Sequence, residues 1–130
     1  MCIFCDIIEG KIPSAKVYED DDVLAILDIS QTTKGHTLVL PKKHYENFLQ
    51  MPDEELGKLM STVKALAEKI CRALGASGVN VLINTNEAAG QTVMHAHVHI
   101  IPRYGEDDGI KISFSQNQLD LQEILNEING

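Results

Sequence analysis

The sequence predicts an α+β domain in which an antiparallel sheet carries helices on one face. Two observations support this fold class: short segments rich in β-branched and aromatic residues follow one another closely, and one long segment has the helical period. Strands that pair with near neighbours around a single inserted helix are typical of such domains. A chain of 130 residues can bury its own core, so we predict a single domain over residues 1–130.

The predicted strands lie in both halves of the chain. In the first half they are AKVYE (15–19), VLAILD (23–28) and HTLVLP (36–41), and the acidic run between the first two indicates a hairpin. In the second half they are GVNVLIN (78–84) and the histidine-containing segment 93–102. Because only the loop TNEAAGQT separates these last two, we expect them to be antiparallel neighbours.

Three helices complete the predicted fold. CIFCDIIEG (2–10) is a short helix or turn that a glycine and then a proline terminate. Apolar residues at steps of three and four predict a long amphipathic helix from about Asp53 to Gly75, with Asp53 as its N-cap and Gly75 as its left-handed end. LDLQEILNEI (119–128) predicts a short amphipathic helix at the C-terminus.

Charge and composition exclude several classes of protein. The formal net charge of -8 opposes general binding to nucleic acid, whose backbone is itself negative. No apolar run approaches the roughly 20 residues that span a bilayer, so we expect no membrane segment. The first residues lack the basic and apolar regions of a secretory signal, and we therefore predict a cytoplasmic protein.

The segment VMHAHVHIIP places three of the five histidines at alternate positions, His95, His97 and His99. In a strand these side chains share one face, and the apolar residues between them face the core. Three interpretations follow: a polar strand face, three ligands of a catalytic zinc, or a nucleophile or general base flanked by groups that position it and stabilise charge.

Cys2 and Cys5 have the CxxC spacing that supplies half of a tetrahedral zinc site. The two further ligands would come from His36, His44 and one of the strand histidines. A redox CxxC normally follows a strand and opens a helix, which does not fit a pair this close to the start of the chain. A structural zinc would therefore take one strand histidine and leave two for chemistry. Cys71 is predicted to be an unreactive packing residue.

HAHVHII matches the pattern His-x-His-x-His followed by two apolar residues, and FCDIIEGKIP, VYEDDDVLAILDIS, KGHTLVLPKKH and GQTVMHAHVHIIPRYG precede or contain it in a characteristic order. By these segments the chain resembles the histidine triad (HIT) family of nucleotide hydrolases and transferases. The resemblance implies an HIT-like fold: a five-stranded antiparallel sheet with one long helix and short terminal helices. It also implies a homodimer and a purine nucleotide as substrate.

The same resemblance implies roles for individual residues. His97 would attack the α-phosphorus of a nucleotide derivative, His99 would stabilise charge on the phosphate and leaving group, and His36 would be a further active-site histidine. The substrate-binding residues would be Asp28 at the ribose, Ile29 and Phe4 near the base, Asn84 at a phosphate or the leaving group, and Gln91 and Thr92 at the α-phosphate. Likeness to zinc-containing members implies a structural Zn²⁺ bound by Cys2, Cys5, His44 and His95, with no catalytic metal.

The substrate stays open at this level. Thr92 replaces the serine usual in the phosphoramidase branch, and GQTV is more similar to the dinucleoside polyphosphate hydrolases, so adenosine phosphoramidates, aminoacyl adenylates and diadenosine polyphosphates all stay open as substrates. Arg103 either contacts distal phosphates or lies over the sheet. Two other classes compete: a noncatalytic nucleotide sensor with a structural zinc, and a zinc metallohydrolase in which the metal activates water.

Overall fold

The computed structural model describes residues 2–130. Within that range the chain forms three α-helices, five strands and two short 3₁₀ turns, the latter at Phe48–Gln50 and Glu87–Ala89. In chain order the main elements are α1 (Ile3–Ile8), β1 (Lys16–Glu19), β2 (Val23–Leu27), β3 (Thr37–Pro41), α2 (Asp53–Leu74), β4 (Gly78–Leu82), β5 (Val98–Arg103) and α3 (Leu121–Asn129).

The five strands form one antiparallel sheet in the order β1-β2-β3-β5-β4, which confirms the α+β prediction. The predicted hairpin joins β1 and β2, and the Asp20 carboxylate closes its turn by accepting hydrogen bonds of 2.8 Å from the amides of Asp22 and Val23. β4 and β5 are antiparallel neighbours, as their short loop indicates. Since β5 lies between β3 and β4, the histidine segment leads into the interior of the sheet.

Helices cover both faces of the sheet, so the prediction that they lie on one face is wrong. α2 packs on the face that contains Ala25 and Val39. α1 packs on the opposite face, where Phe4 contacts the cluster that contains Leu24 and Leu38. A helix of six residues is too short to display a helical period, so its sequence does not reveal the face that it covers.

The long helix α2 begins at Asp53 itself, and the predicted Asp53 cap is wrong. Pro52 is the N-cap, with φ -59°, and no side chain caps the first amides. Asp53 instead lies in the first turn, where a negative charge interacts favourably with the helix dipole. At the other end Gly75 has φ +73°, which confirms the predicted left-handed termination.

β5 begins at Val98, so the prediction of a strand over all three histidines is wrong for its first part. Residues 93–95 form a bend, residues 96 and 97 have no regular structure, and His99 is the triad histidine inside the strand. Ala96 donates its amide to the Tyr45 carbonyl, in a connecting segment, at 2.7 Å. The apolar residues between the histidines do face the α2 core as predicted: Ala96, Val98 and Ile100.

The C-terminal segment forms the predicted helix α3, with Asp120 accepting a hydrogen bond of 3.1 Å from the Glu123 amide as its N-cap. None of its residues is buried, and Leu121 and Ile128 are mostly exposed. Along residues 2–130, every helix is too short or too polar to pass through a lipid bilayer.

Candidate functional site

Four polar side chains meet where β2 ends and where β3 and β5 begin; we call Asp28, His36, His97 and His99 the Asp–His cluster. Asp28 follows β2, His36 precedes β3, and His97 and His99 lie at the start of β5. Antiparallel pairing places Leu38 of β3 opposite His99 of β5. The structure thus brings together the three histidines predicted to be catalytic and the aspartate predicted at the ribose.

His97 is buried, and its two ring nitrogens are in different situations. Nδ1 donates a hydrogen bond of 2.6 Å to the carbonyl of His95, and Nε2 has no hydrogen-bond partner among residues 2–130. Burial lowers the pKa of His97, which favours the neutral ring. A neutral imidazole with its proton fixed on Nδ1 presents a free electron pair on Nε2, as a nucleophile requires.

His99 and His36 form a hydrogen-bonded pair, with 2.9 Å between His99 Nδ1 and His36 Nε2. The Thr32 amide faces His36 Nδ1 at 3.4 Å, so this nitrogen accepts and the His36 proton lies on Nε2. His36 then donates to His99 Nδ1, which leaves the His99 proton on Nε2. The ring of His99 lies 5.0 Å from that of His97, so its remaining N–H belongs to the same site.

Burial and neighbouring rings keep this pair neutral. Burial, with smaller effects from His97 and His36, lowers the pKa of His99 to about 4. Burial also lowers the pKa of His36, and the Asp28 carboxylate, 3.8 Å from Nε2, partly opposes this shift. The Asp–His cluster is therefore uncharged at its imidazoles near neutral pH and can donate one N–H to an incoming anion.

The residues predicted at the ribose and base surround this cluster. One oxygen of Asp28 accepts a 2.8 Å hydrogen bond from the Ser30 amide, and the other faces His36. Ile29 beside it is fully exposed. Phe4 is buried and places its ring edge-on to His97, 5.0 Å between centroids. The Phe4 ring thus lies against His97, and a carboxylate with an exposed aliphatic neighbour in the chain lies beside His36.

Gln91 and Thr92, predicted at the α-phosphate, are placed differently from each other. Gln91 is buried: its side-chain oxygen accepts from the Asn86 amide at 2.7 Å, and its nitrogen donates to the Glu46 carbonyl at 2.6 Å. Its side chain therefore holds the loop that enters the histidine segment. Thr92 is exposed and lines a surface cleft together with His44. Asn84, partly buried, lies next to Gly90 of the same loop.

A second group of side chains lies on the other side of the bend; we call Cys2, Cys5, His44 and His95 the cysteine cluster. Its four ligand atoms all lie within 4.8 Å of one another. Nδ1 of His95 is 3.4 Å from Cys2 Sγ, 3.6 Å from Cys5 Sγ and 3.1 Å from His44 Nδ1. Tetrahedral zinc, with bonds of about 2.3 Å to sulfur and about 2.0 Å to nitrogen, separates its ligand atoms by roughly 3.3 to 3.8 Å. The cluster fits that geometry.

Surrounding groups fix the orientation of the His95 ring and change the pKa of Cys5. His95 is fully buried, and its Nε2 bonds the Pro41 carbonyl at 2.8 Å, which fixes the proton there and turns Nδ1 towards the thiols. Burial, followed by the hydrogen bond and charge of Cys2, raises the pKa of Cys5 to about 11. The raised pKa favours the protonated thiol of Cys5, and a metal ion would displace that proton.

Two features of the site have no signal in the sequence. The Thr32 amide that orients His36 is a backbone group, and Pro41, which orients His95, contributes only its carbonyl.

Arg103, for which two roles were open, bonds Asp108 through Nε at 2.8 Å and Asn80 through Nη1 at 2.7 Å. The Nε, Nη1 and Nη2 donors of its guanidinium thus all bond groups of the protein.

Comparison with known proteins identifies the family. The HIT domain matches residues 9–106. A solved structure of an HIT family member from Bacillus subtilis is 50% identical, covers 98% of this chain and 94% of its own, and superposes with a TM-score of 0.91. An adenosine 5'-monophosphoramidase of Schizosaccharomyces pombe is 39% identical over 95% of this chain and 90% of its own. An adenylylsulfatase of Arabidopsis thaliana is 42% identical over 82% of this chain and 54% of its own. The chain belongs to the HIT family.

Proposed function

We propose that the protein hydrolyses a nucleoside phosphoramidate or dinucleoside polyphosphate at its α-phosphorus, through a nucleotidyl-His97 intermediate, and releases a nucleoside monophosphate. One observation carries this proposal: the His95 carbonyl holds the proton of His97 on Nδ1 and leaves Nε2 free beside the donor His99. The relatives named as a phosphoramidase and an adenylylsulfatase support chemistry at an adenosine phosphate.

In the first step, Nε2 of His97 forms a bond to the α-phosphorus and the bond to the leaving group breaks. The leaving group departs with the electron pair; an amine takes a proton from water, whereas a polyphosphate leaves as an anion. The Nε2–H of His99 donates to the phosphate oxygen on which charge develops, and His36 holds His99 in the tautomer that can do so. A donor aligned in advance lowers the barrier because it needs no reorganisation.

In the second step, water attacks the phosphorus and Nε2 of His97 leaves with its electron pair. The product is a nucleoside monophosphate, one proton goes to solvent, and His97 returns to its neutral state. The His95 carbonyl supports both steps, since it stabilises the positive charge on the substituted ring and fixes the ring plane. Two displacements with a good leaving group each replace one slow direct hydrolysis.

For the substrate we propose a purine nucleotide whose ribose hydroxyls bond Asp28, which has one oxygen free of backbone amides. Ile29 and Phe4 would contact the base. Asn84 and Thr92 would contact phosphate or leaving group, and Gln91 would act by holding their loop. The charge of the chain argues against nucleic acid as a substrate. A cytoplasmic location remains a prediction from the sequence.

We further propose that Cys2, Cys5, His44 and His95 bind one structural Zn²⁺. When bound, the ion would tie α1 to the segment that carries His97, and it would take no part in phosphoryl transfer. The support is the spacing of the four ligand atoms and the orientation of His95 by Pro41. Elemental analysis of the purified protein tests this, with one equivalent of zinc expected; a melting temperature that a strong chelator does not change would contradict it.

We also propose a homodimer. β4 is an edge strand, and Val79, Val81 and Leu82 on it are substantially exposed. An apolar groove between β4 and α2, lined in part by Met60 and Val63, continues this surface. Exposed edge strands with apolar side chains pair readily with a second copy. Light scattering during gel filtration tests this: we expect twice the chain mass, and Val81→Lys should yield the monomer.

The decisive experiment is intact-protein mass spectrometry after rapid quenching with adenosine phosphoramidate, run beside an assay of AMP release. We expect an AMP-sized adduct and turnover that are both absent in His97→Ala. Turnover that persists in His97→Ala and stops with a chelator would identify a metallohydrolase, for which Asp28, His36 and His99 are the nearest metal-ligand set. AMP binding without turnover, with diadenosine polyphosphate also inert, would identify a sensor.

A further inference from the structure

The chain that follows β5 forms a closed turn built on one buried carboxylate. Asp108 accepts hydrogen bonds from Arg103 Nε at 2.8 Å and Nη2 at 3.1 Å, and from the Tyr104 amide at 2.8 Å. Arg103 Nη2 also donates to the Ile110 carbonyl at 3.0 Å. The side chain of Asp108 is 4% exposed, and its bond to the Arg103 guanidinium lowers the pKa of that carboxyl. These hydrogen bonds connect the two ends of the turn.

This turn lies against the loop that leads into His36. A Cβ atom on Gly109 would be 1.9 Å from the Thr32 carbonyl oxygen, so only glycine permits the observed approach. Tyr104 donates its hydroxyl to the Lys34 carbonyl at 2.6 Å. Between these points the Thr33 hydroxyl donates to the carbonyl of Pro102, in β5, at 2.6 Å. The end of β5 and the turn after it thus contact three consecutive residues of the loop, through hydrogen bonds at Thr33 and Lys34 and through a close approach at Thr32.

The contact at Thr32 matters because the amide of the same residue faces Nδ1 of His36 at 3.4 Å. That amide keeps the His36 proton on Nε2, where it is donated to His99. If Thr32 moved by a few tenths of an ångström, this long hydrogen bond would be lost and Nδ1 could carry the proton. His36 Nε2 would then have no proton to donate, and it would face His99 Nδ1 as one hydrogen-bond acceptor facing another.

We propose that Gly109 and Tyr104 are positioning residues: by holding the Thr32–Lys34 loop they fix the tautomer of His36 and, through it, the N–H that His99 presents to the substrate. The role of this N–H in hydrolysis rests on the proposed function, whereas its tautomer does not. The side chains that face His36 in this arrangement are His99 and Asp28. The turn after β5 thus acts on the site through the Thr32–Lys34 loop.

The test compares Gly109→Ala with Gly105→Ala. Both glycines lie in this turn with positive φ, +121° and +156°, but a Cβ on Gly105 would meet nothing within 4 Å. We expect Gly109→Ala to lower kcat for AMP release about tenfold or more with little change in KM, and Gly105→Ala to lower it less than about twofold. Long-range ¹H–¹⁵N spectra should show His36 protonated at Nε2 in the natural protein and in Gly105→Ala, and a mixture of tautomers in Gly109→Ala.

Tyr104→Phe removes one hydroxyl and keeps the aromatic ring, so it tests the proposal if Gly109→Ala does not fold. It should lower kcat by a smaller factor, about twofold to fivefold, in the same direction. A Gly109→Ala protein with the natural tautomer and kcat, or equal losses in Gly105→Ala, would overturn the proposal. If the natural protein turns over no nucleotide derivative, the proposed hydrolysis fails, while the His36 spectra still decide the positioning role.

Discussion

Two neighbouring histidines in the same bend offer opposite ring nitrogens. In the cysteine cluster, His95 bonds the Pro41 carbonyl through Nε2 and presents Nδ1 to the thiols. In the Asp–His cluster, His97 bonds the His95 carbonyl through Nδ1 and leaves Nε2 free. Both rings are buried, and burial lowers the pKa of both. The backbone carbonyl that each ring bonds therefore decides which nitrogen it presents: Nδ1 to the thiols, or Nε2 to the side where we propose that the substrate binds.

The comparison predicts that only one of these rings can be replaced by free imidazole. His97→Gly should lower kcat by roughly 10⁴-fold or more, because the nucleophile is lost, and millimolar imidazole should restore part of it. His95→Gly should lose stability and gain no turnover from imidazole, since its ring connects Pro41 to the thiols. The measurement is AMP release with and without imidazole. Equal rescue of both variants would abolish the distinction.

The cysteine cluster should matter for stability and little for chemistry. Cys2→Ser should reduce bound zinc well below one equivalent and lower the melting temperature by roughly 10 °C, while kcat at 20 °C changes by less than about tenfold. Cys71→Ser is the matched control: Cys71 is half-buried, lies outside the cluster, and its pKa is raised by burial alone. Metal analysis and thermal unfolding decide, and unchanged melting of Cys2→Ser would refute the structural role.

Within the Asp–His cluster, Asp28 has one carboxylate oxygen that bonds no backbone amide, and the ribose hydroxyls are its proposed partners. Asp28→Asn keeps an oxygen for the Ser30 amide but loses the charge, so KM for adenosine phosphoramidate should rise about tenfold to thirtyfold with a smaller change in kcat. The 2',3'-dideoxy substrate is the control: both proteins should bind it equally weakly. If the KM ratio stays the same for both substrates, Asp28 does not bind the ribose.

Residue types that are close in sequence could be assigned to sites from the sequence, and contacts between distant segments could not. HxHxH and CxxC pointed to His97 and to Cys2 with Cys5 because each pattern lies within five residues. The bend before β5 depends on a bond to Tyr45, about 50 residues earlier in the chain, and no local propensity reveals it. The same holds for the face covered by α1 and for the internal hydrogen bonds of Gln91.

The smallest expected effect is on the stability of the folded protein in acid. The pKa of His99 is about 4 in the folded protein against an ordinary value of 6.5, so in this window the unfolded chain binds a proton that the folded protein does not. The stability that depends on a neutral His99 is fully present above pH 6.5 and is lost as the pH falls towards 4. The lowered pKa values of His36 and His97 act in the same direction.

Between pH 6.5 and pH 4.5 the free energy of unfolding should therefore fall by about 1 to 2 kcal/mol more in the natural protein than in His99→Gln. Denaturant titrations at several pH values measure this slope. Acid would also release any metal held by the cysteine cluster, but this affects both proteins equally, so the difference between their slopes belongs to His99. Parallel slopes would mean that His99 gains its proton at the same pH in the folded protein as in the unfolded chain, so that burial does not keep the His36–His99 pair neutral as the pH falls.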